Sequence, residues 1–86
     1  METRVAIISI IVEDGGKIEE INRLLHETNE YIIGRMGIPY RQKGISIISI
    51  AIDAPQDTIS TLSGKIGRLS GVTTKTAYSN VITKTE

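Results

Sequence analysis

The sequence contains no cysteine, no phenylalanine and no tryptophan among its 86 residues. Without cysteine, the chain has neither disulfide bonds nor thiolate metal sites, which is compatible with a reducing cytosol. It also lacks an excess of either charge, since 10 Lys and Arg balance 10 Asp and Glu. A neutral chain has no general attraction to nucleic acids or to anionic membranes, so we expect neither as a partner.

Long apolar runs are also absent. The chain begins Met1-Glu2-Thr3-Arg4, and the apolar run that follows is only about eight residues long. A secretory signal needs a basic start and a cleavage site of small residues, and a membrane span needs ~20 apolar residues. We therefore expect a cytoplasmic protein that forms a single domain over residues 1–86.

Isoleucine supplies much of the apolar content, and such β-branched residues favour strands. The patterns predict strands at 4–12, 31–35, 44–52 and 72–78, helices at 17–28 and 55–70, a hairpin connection at 36–43, and a polar tail or strand extension at 79–86. We expect Asp14 to cap the first helix, and Asp53, followed by Pro55 and Gln56, to begin the second.

The predicted order β-α-β-β-α-β is typical of a ferredoxin-like α+β fold. Right-handed crossovers then give a four-stranded antiparallel sheet with both helices on one face. The first and third strands lie in the centre of this sheet, and the second and fourth lie at its edges.

Both central strands are apolar on both faces, although two helices can cover only one face. The uncovered side would expose a contiguous aliphatic patch larger than soluble monomers usually carry. We therefore predict a dimer or tetramer whose interface contains Val5, Ile7, Ile45 and Ile47. Partial cover by the tail or the loops is the alternative.

Several stretches resemble the small iron-only hydrogenase system regulators. They are residues 31–41, 43–48, 64–72 and 75–78, together with the opening strand. The most specific is the run Gly-Arg-Met-Gly-Ile-Pro-Tyr-Arg from Gly34 to Arg41. The resemblance implies an ACT-like domain that forms oligomers and regulates a hydrogenase system, with a hydrogenase-system protein as a further partner.

The same resemblance extends to the regulatory domains of acetolactate synthase and to the C-terminal domain of nickel-responsive repressors. Those repressors use His and Cys ligands and a separate DNA-binding domain, whereas this chain has one His and no Cys. His26 is predicted to be exposed, and a lone His is a poor metal site. We expect no metal and no cofactor.

Two segments are candidate ligand sites. The resemblance implies that the loop Asp14-Gly15-Gly16 approaches an effector such as an amino acid, because glycine lets backbone N–H groups come close to a carboxylate. At the hairpin, Arg35, Tyr40, Arg41 and Lys43 form a basic cluster that could hold an anion, a nucleotide or nucleic-acid phosphates. The alternatives are an ordinary turn and a solvated loop whose Arg and Tyr side chains pair across the oligomer.

The second helix carries small residues beside its apolar stripe, namely Ser60, Ser63, Gly64 and Gly67. They permit close packing against the first helix, a second subunit or a partner protein. No nucleophile–base spacing or phosphate-loop motif is present, so we do not expect an enzyme.

Three functions remain open at this stage. The leading hypothesis is a non-enzymatic regulatory domain that senses a small effector at an oligomer interface. The second is a protein-interaction scaffold for hydrogenase maturation that has no small ligand. Direct nucleic-acid binding through the hairpin is the third, and the neutral net charge weighs against it.

Overall fold

The computed structural model describes residues 1–84. Its strands are β1 (Glu2–Val12), β2 (Ile32–Tyr40), β3 (Ile45–Ala54) and β4 (Val72–Lys84), and its helices are α1 (Ile18–Glu27) and α2 (Gln56–Gly67). The sheet order is β2-β3-β1-β4, and every neighbouring pair is antiparallel. The predicted ferredoxin-like, ACT-like α+β fold is confirmed.

One face of the sheet packs against both helices and forms the core. Alternate residues of the two central strands point into it: Ala6, Ile8, Ile10 and Val12 of β1, and Ile48, Ile50, Ile52 and Ala54 of β3. The helices contribute Ile21, Leu24, Leu25, Ile59, Leu62 and Ile66. All the buried residues in the described part of the chain are apolar, and burial of these aliphatic side chains is the main favourable term in folding.

The second strand is longer than predicted. The segment from Met36 to Tyr40 was expected to be part of the connection, but it continues β2 and pairs with β3 as far as Tyr40 opposite Ile45. A strand at the edge of a sheet tolerates Pro39, because one of its sides makes no ladder hydrogen bonds. The connection itself is reduced to a 3₁₀ turn at Arg41–Lys43 and Gly44.

Asp53 does not cap the second helix. It lies within β3, opposite Val5, and Pro55 occupies the N-cap position of α2 with no side-chain hydrogen bond. Pairing with β1 continues through Ala54, so α2 begins only after Pro55, and Asp53 lies two residues before the N-cap position. Asp14 caps the 3₁₀ turn Gly15–Lys17 that leads into α1, where its Oδ1 accepts the Gly16 N–H at 2.9 Å. It does not cap α1 itself, whose N-cap residue is Lys17 with no side-chain hydrogen bond.

Two of the small residues of α2, Ser63 and Gly67, pack against β4. The hydroxyl oxygens of Ser63 and Thr76 are 3.0 Å apart, and a Cβ at Gly67 would lie 2.8 Å from Thr74 Oγ1. In the turn after α2, Gly71 has a φ of +72°, and a Cβ there would be 3.0 Å from Asp14 Cβ. Only glycine accepts both that dihedral and that approach without strain.

The segment predicted as a polar tail or a strand extension is an extension of β4 as far as residue 84. Residues 79–84 belong to the strand, and 85 and 86 lie outside the described residues. The ladder with β1 shifts register opposite Val5, where Ser79 Oγ donates to the Val5 carbonyl oxygen at 2.6 Å. Beyond this bulge, Glu2 to Arg4 pair with Ile82 to Lys84 as a two-stranded ribbon.

The two helices of the described residues have 10 and 12 residues. Neither is long and apolar enough to cross a bilayer.

Candidate functional site

The sheet has an open face, on the side away from the helices. We define it by the side chains that alternate with the core positions: Val5, Ile7, Ser9 and Ile11 of β1; Ile45, Ile47, Ser49, Ala51 and Asp53 of β3; Met36, Ile38 and Tyr40 of β2; and Thr73, Lys75 and Ala77 of β4. The sequence-predicted interface residues Val5, Ile7, Ile45 and Ile47 all lie on it.

The open face is apolar across three strands. Ile38 pairs with Ile47, which in turn pairs with Ile11, so that three aliphatic side chains form one row. Large side chains on this face remain exposed in the single chain, with relative accessibilities of 45% for Ile7, 42% for Ile11, 49% for Met36 and 46% for Ile38. A contiguous patch of this kind marks an interaction surface.

The apolar surface of the open face is interrupted at two places by polar side chains. Ser9 and Ser49 pair across the central strands, so the middle of the patch holds two small hydroxyl side chains. At one end, Oδ1 of the half-buried Asp53 has no hydrogen-bond partner among residues 1–84, although it is shielded from solvent. An unsatisfied, shielded carboxylate oxygen costs free energy, so this end of the face is not optimised for a monomer.

A cleft lies on the opposite side of β2, between that strand and α1. We call it the α1–β2 cleft; its volume is about 180 Å³, and it is lined by Ile18, Asn22, Arg35, Gly37, Ile38, Pro39, Ser46 and Ile48. Arg35 reaches into it from β2, where it pairs with the core residue Ile50 and so faces the helices. Its Nη2 donates to Asn22 Oδ1 of α1 at 2.9 Å, which holds the guanidinium against the helix.

The predicted ligand residues do not form one site. Arg35 and Tyr40 lie on opposite faces of β2, five positions apart, which is a distance of roughly 17 Å along a strand. Arg41 lies in the turn beyond Tyr40. The loop Asp14-Gly15-Gly16 packs against the α2–β4 turn, where the Glu13 N–H donates to the Gly71 carbonyl oxygen at 2.7 Å.

The glycine loop also uses part of its own donor capacity. The Gly16 N–H, which was expected to approach an effector carboxylate, donates to the Asp14 side chain at 2.9 Å. The loop residues are absent from the lining of the α1–β2 cleft. Of the predicted ligand residues, the structure therefore places only Arg35 in a cleft.

A second groove separates the two helices. It has a volume of about 220 Å³, and its lining includes Leu24, Glu27, Asp57, Leu62 and Lys65. His26 is exposed on α1, as predicted, and is not part of that lining. No group of three or more His, Cys, Asp or Glu side chains within residues 1–84 is arranged to hold a metal ion.

Sequence reasoning missed two parts of these surfaces. Met36 and Ile38 belong to the open face, and the alternation of apolar residues from Met36 to Tyr40 was the available signal. Gly37 and Pro39 hid that signal because they usually interrupt strands. Asn22 was considered on its helix without a partner, since nothing local links it to Arg35, 13 residues away.

The family of the chain follows from a comparison with family models. The model of the TM1266-like family, described as "Iron-only hydrogenase system regulator, putative", matches residues 4–76. The chain belongs to this family. The resemblance inferred from the Gly34–Arg41 run is thereby confirmed, and Arg35 and the open face are features of a TM1266-like protein.

Solved structures agree with the TM1266-like assignment. The uncharacterized protein TM1266 from Thermotoga maritima is 38% identical, with a TM-score of 0.84, over 88% of this chain and 96% of that one. A formyltetrahydrofolate deformylase from Pseudomonas putida KT2440 is 17% identical, with a TM-score of 0.67, over 90% of this chain and 29% of the enzyme. The second likeness shows the fold alone. No curated protein matches the sequence.

Proposed function

We propose that this TM1266-like chain is a non-enzymatic regulatory subunit of an iron-only hydrogenase system. Its working form is a homo-oligomer assembled through the open face, and it responds to a small effector. The family match supports the regulatory role. The observation that carries the oligomer is the row Ile38, Ile47 and Ile11, which two helices on the other face leave uncovered.

Burial of the apolar surface favours a second copy on this face. Burial of apolar surface contributes about 25 cal/mol per Å², so covering several hundred Å² offsets part of the cost of association. A two-fold interface applies the same patch to itself, and an apolar patch is complementary to its own copy. The orphan Oδ1 of Asp53 lies on the same face, where a donor from a second copy could reach it.

Strand β2 is the element through which an effector could influence the oligomer. By register its residues alternate, with Arg35, Gly37 and Pro39 on the helix side of the sheet and Met36, Ile38 and Tyr40 on the open face. Ile38 also belongs to the lining of the cleft. A ligand that shifts β2 in the cleft would therefore alter the contacts on the open face. Thermodynamic linkage requires the reverse effect as well, so oligomerisation would change the affinity for the ligand.

The oligomer is tested by measuring the mass in solution of wild type and two matched variants. Ile7→Asp places a charge in the open face, whereas Ile33→Asp places one at the β2 bulge, where Ile33 is 64% exposed. We expect an oligomeric wild type, a folded monomeric Ile7→Asp and an oligomeric Ile33→Asp. A monomeric wild type, or an Ile7→Asp variant that stays oligomeric with its fold intact, would contradict the interface.

Effector sensing is tested by thermal-shift screening of the oligomer against amino acids, simple carboxylates, nucleotides and metal ions. A bound ligand raises the midpoint of unfolding by mass action. If no compound in a broad panel shifts the midpoint, the sensing role fails.

The open face also favours a second candidate function, that of a scaffold for hydrogenase maturation without a small ligand. The same apolar residues would then contact a different protein. Two results together would favour the scaffold over the sensor. The wild type would be monomeric when alone, and it would capture a hydrogenase-system protein that Ile7→Asp does not capture.

A further inference from the structure

Within the part of the chain that the structure describes, the α1–β2 cleft has one charged lining residue, Arg35. Ile18, Pro39 and Ile48 supply apolar walls, and Asn22 and Ser46 supply uncharged polar groups. Among residues 1–84, no acidic side chain lines the cleft. Its chemistry is therefore that of a small apolar pocket with a single cation.

The guanidinium of Arg35 has donor capacity that the described residues leave unused. An arginine carries five N–H donors, and Arg35 makes one side-chain hydrogen bond, to Asn22 Oδ1. No carboxylate within residues 1–84 forms an ion pair with it, whereas Arg23 on the exposed side of α1 pairs with both Glu20 and Glu27. Arg35 is exposed, so an amide holds its guanidinium at the open side of the cleft, and its remaining donors face solvent, where a ligand can reach them.

We propose that the α1–β2 cleft binds a small aliphatic monocarboxylate. The carboxylate accepts hydrogen bonds from the Arg35 guanidinium, and the hydrocarbon part contacts Ile18, Pro39 and Ile48. The assignment deepens the proposed function and rests on it in one respect, because it identifies this ligand with the effector of the oligomer.

Two features of the lining favour an aliphatic monocarboxylate over other anionic ligands. A zwitterionic amino acid would bring an ammonium group into a cleft whose lining within residues 1–84 offers no carboxylate to pair with it. Inorganic phosphate would lose part of its hydration against the apolar walls, which offer no hydrogen bonds to replace the lost water. An aliphatic acid can pair its carboxylate with the guanidinium and bury its hydrocarbon chain against the apolar walls.

The cleft is small, with a volume of about 180 Å³, and it is open to solvent. A short-chain acid can place its carboxylate at Arg35 and its hydrocarbon part against the apolar walls, and butyrate is the probe. The weak affinity expected of so small a ligand lies in the millimolar range.

The experiment is a titration of butyrate into the ¹⁵N-labelled protein, followed by NMR. We expect shifts at Asn22, Gly37 and Ser46, with saturation in the millimolar range. Butyramide, which lacks the charge, and inorganic phosphate, which lacks the apolar chain, should each bind at least about tenfold more weakly, since one charge-assisted hydrogen bond contributes that factor. Butyramide or phosphate binding as tightly as butyrate, or no shifts with butyrate, would overturn the proposal.

Variants localise the site. Arg35→Gln should weaken butyrate binding at least about tenfold, whereas Arg23→Gln, on the same side of the sheet but outside the cleft, should bind like wild type. Equal weakening in both variants, or none in either, would contradict the assignment to Arg35. The comparison of butyrate with butyramide uses wild-type protein, so the proposal stays falsifiable even if Arg35→Gln does not fold.

Failure here is distinguishable from failure of the proposed function. Arg35 faces the helices, so Arg35→Gln should leave the oligomer formed through the open face intact. Butyrate binding to a protein that is monomeric would support the cleft and contradict the oligomer. An oligomer that shows no butyrate shifts would contradict the cleft alone.

Discussion

Gly67, the last residue of α2, lies so close to Thr74 of β4 that a Cβ would be 2.8 Å from the threonine Oγ1. This contact sets the distance between the helix and the edge strand. The side-chain contact of Ser63 with Thr76 reinforces it one turn earlier, with 3.0 Å between the hydroxyl oxygens.

The first prediction concerns that contact. Gly67→Ala should lower the free energy of unfolding by about 1 kcal/mol, because overpacking costs ~1–3 kcal/mol while alanine regains up to ~1 kcal/mol of helix propensity. Gly64→Ala is the matched control in the same helix. Its Cβ would meet only the end of the Arg68 side chain, at 3.4 Å, so it should raise stability by about 0.5–1 kcal/mol.

Urea denaturation of both variants measures the difference. Opposite signs for the two alanine substitutions support a close approach of α2 to β4 at Gly67. Two stabilising substitutions would show that Thr74 moves aside without cost and would contradict the argument.

The second prediction concerns two aspartates. Oδ1 of Asp53 is shielded and unpaired among residues 1–84, whereas Asp57 Oδ1 accepts the Thr58 N–H at 3.0 Å in the first turn of α2. In a monomeric Ile11→Asp background, whose new charge lies at the other end of the open face, Asp53→Asn should raise the free energy of unfolding by about 1 kcal/mol, because it removes the desolvated charge. Asp57→Asn should lower it by about 0.3–1 kcal/mol, because a negative charge near a helix N-terminus is stabilising.

In the wild-type oligomer we expect the opposite effect of Asp53→Asn, on association. If a second copy donates to its Oδ1, Asp53→Asn should weaken association while it stabilises the monomer. Denaturation of the monomer and a dilution series of the oligomer measure the two effects separately. A loss of monomer stability would show that the carboxylate has a favourable role within the single chain.

The third prediction concerns salt. Association through the open face should change by less than about threefold between roughly 0.05 and 0.5 M NaCl, because screening acts on charges and the patch is largely aliphatic. Sulfate should strengthen it, since excluded salts favour apolar burial. Analytical ultracentrifugation at several salt concentrations measures both effects. A steep loss of association in NaCl would instead assign it to charged groups such as those of Arg41 and Lys43.

The candidate site shows where local reasoning from the sequence ends. The excess apolarity of β1 and β3 was visible as two interleaved sets of isoleucines, so Ile7 and Ile47 could be assigned to an uncovered face. The contribution of β2 was not visible, because Gly37 and Pro39 disfavour a strand locally and only pairing with β3 outweighs that preference. Likewise, no sequence pattern links Arg35 with Asn22, since the contact depends on how α1 packs across the sheet.

The sequence by itself determined the elements and their order, because the spacing of isoleucine and leucine matches the period of a strand or a helix and leaves few ways to bury them. It also determined that two central strands are apolar on both sides. Only the tertiary structure decided which side chains share a face. A shift of register by one residue reverses every side chain of a strand, so the ladder with β3 is what places Arg35 in the cleft and Tyr40 on the open face.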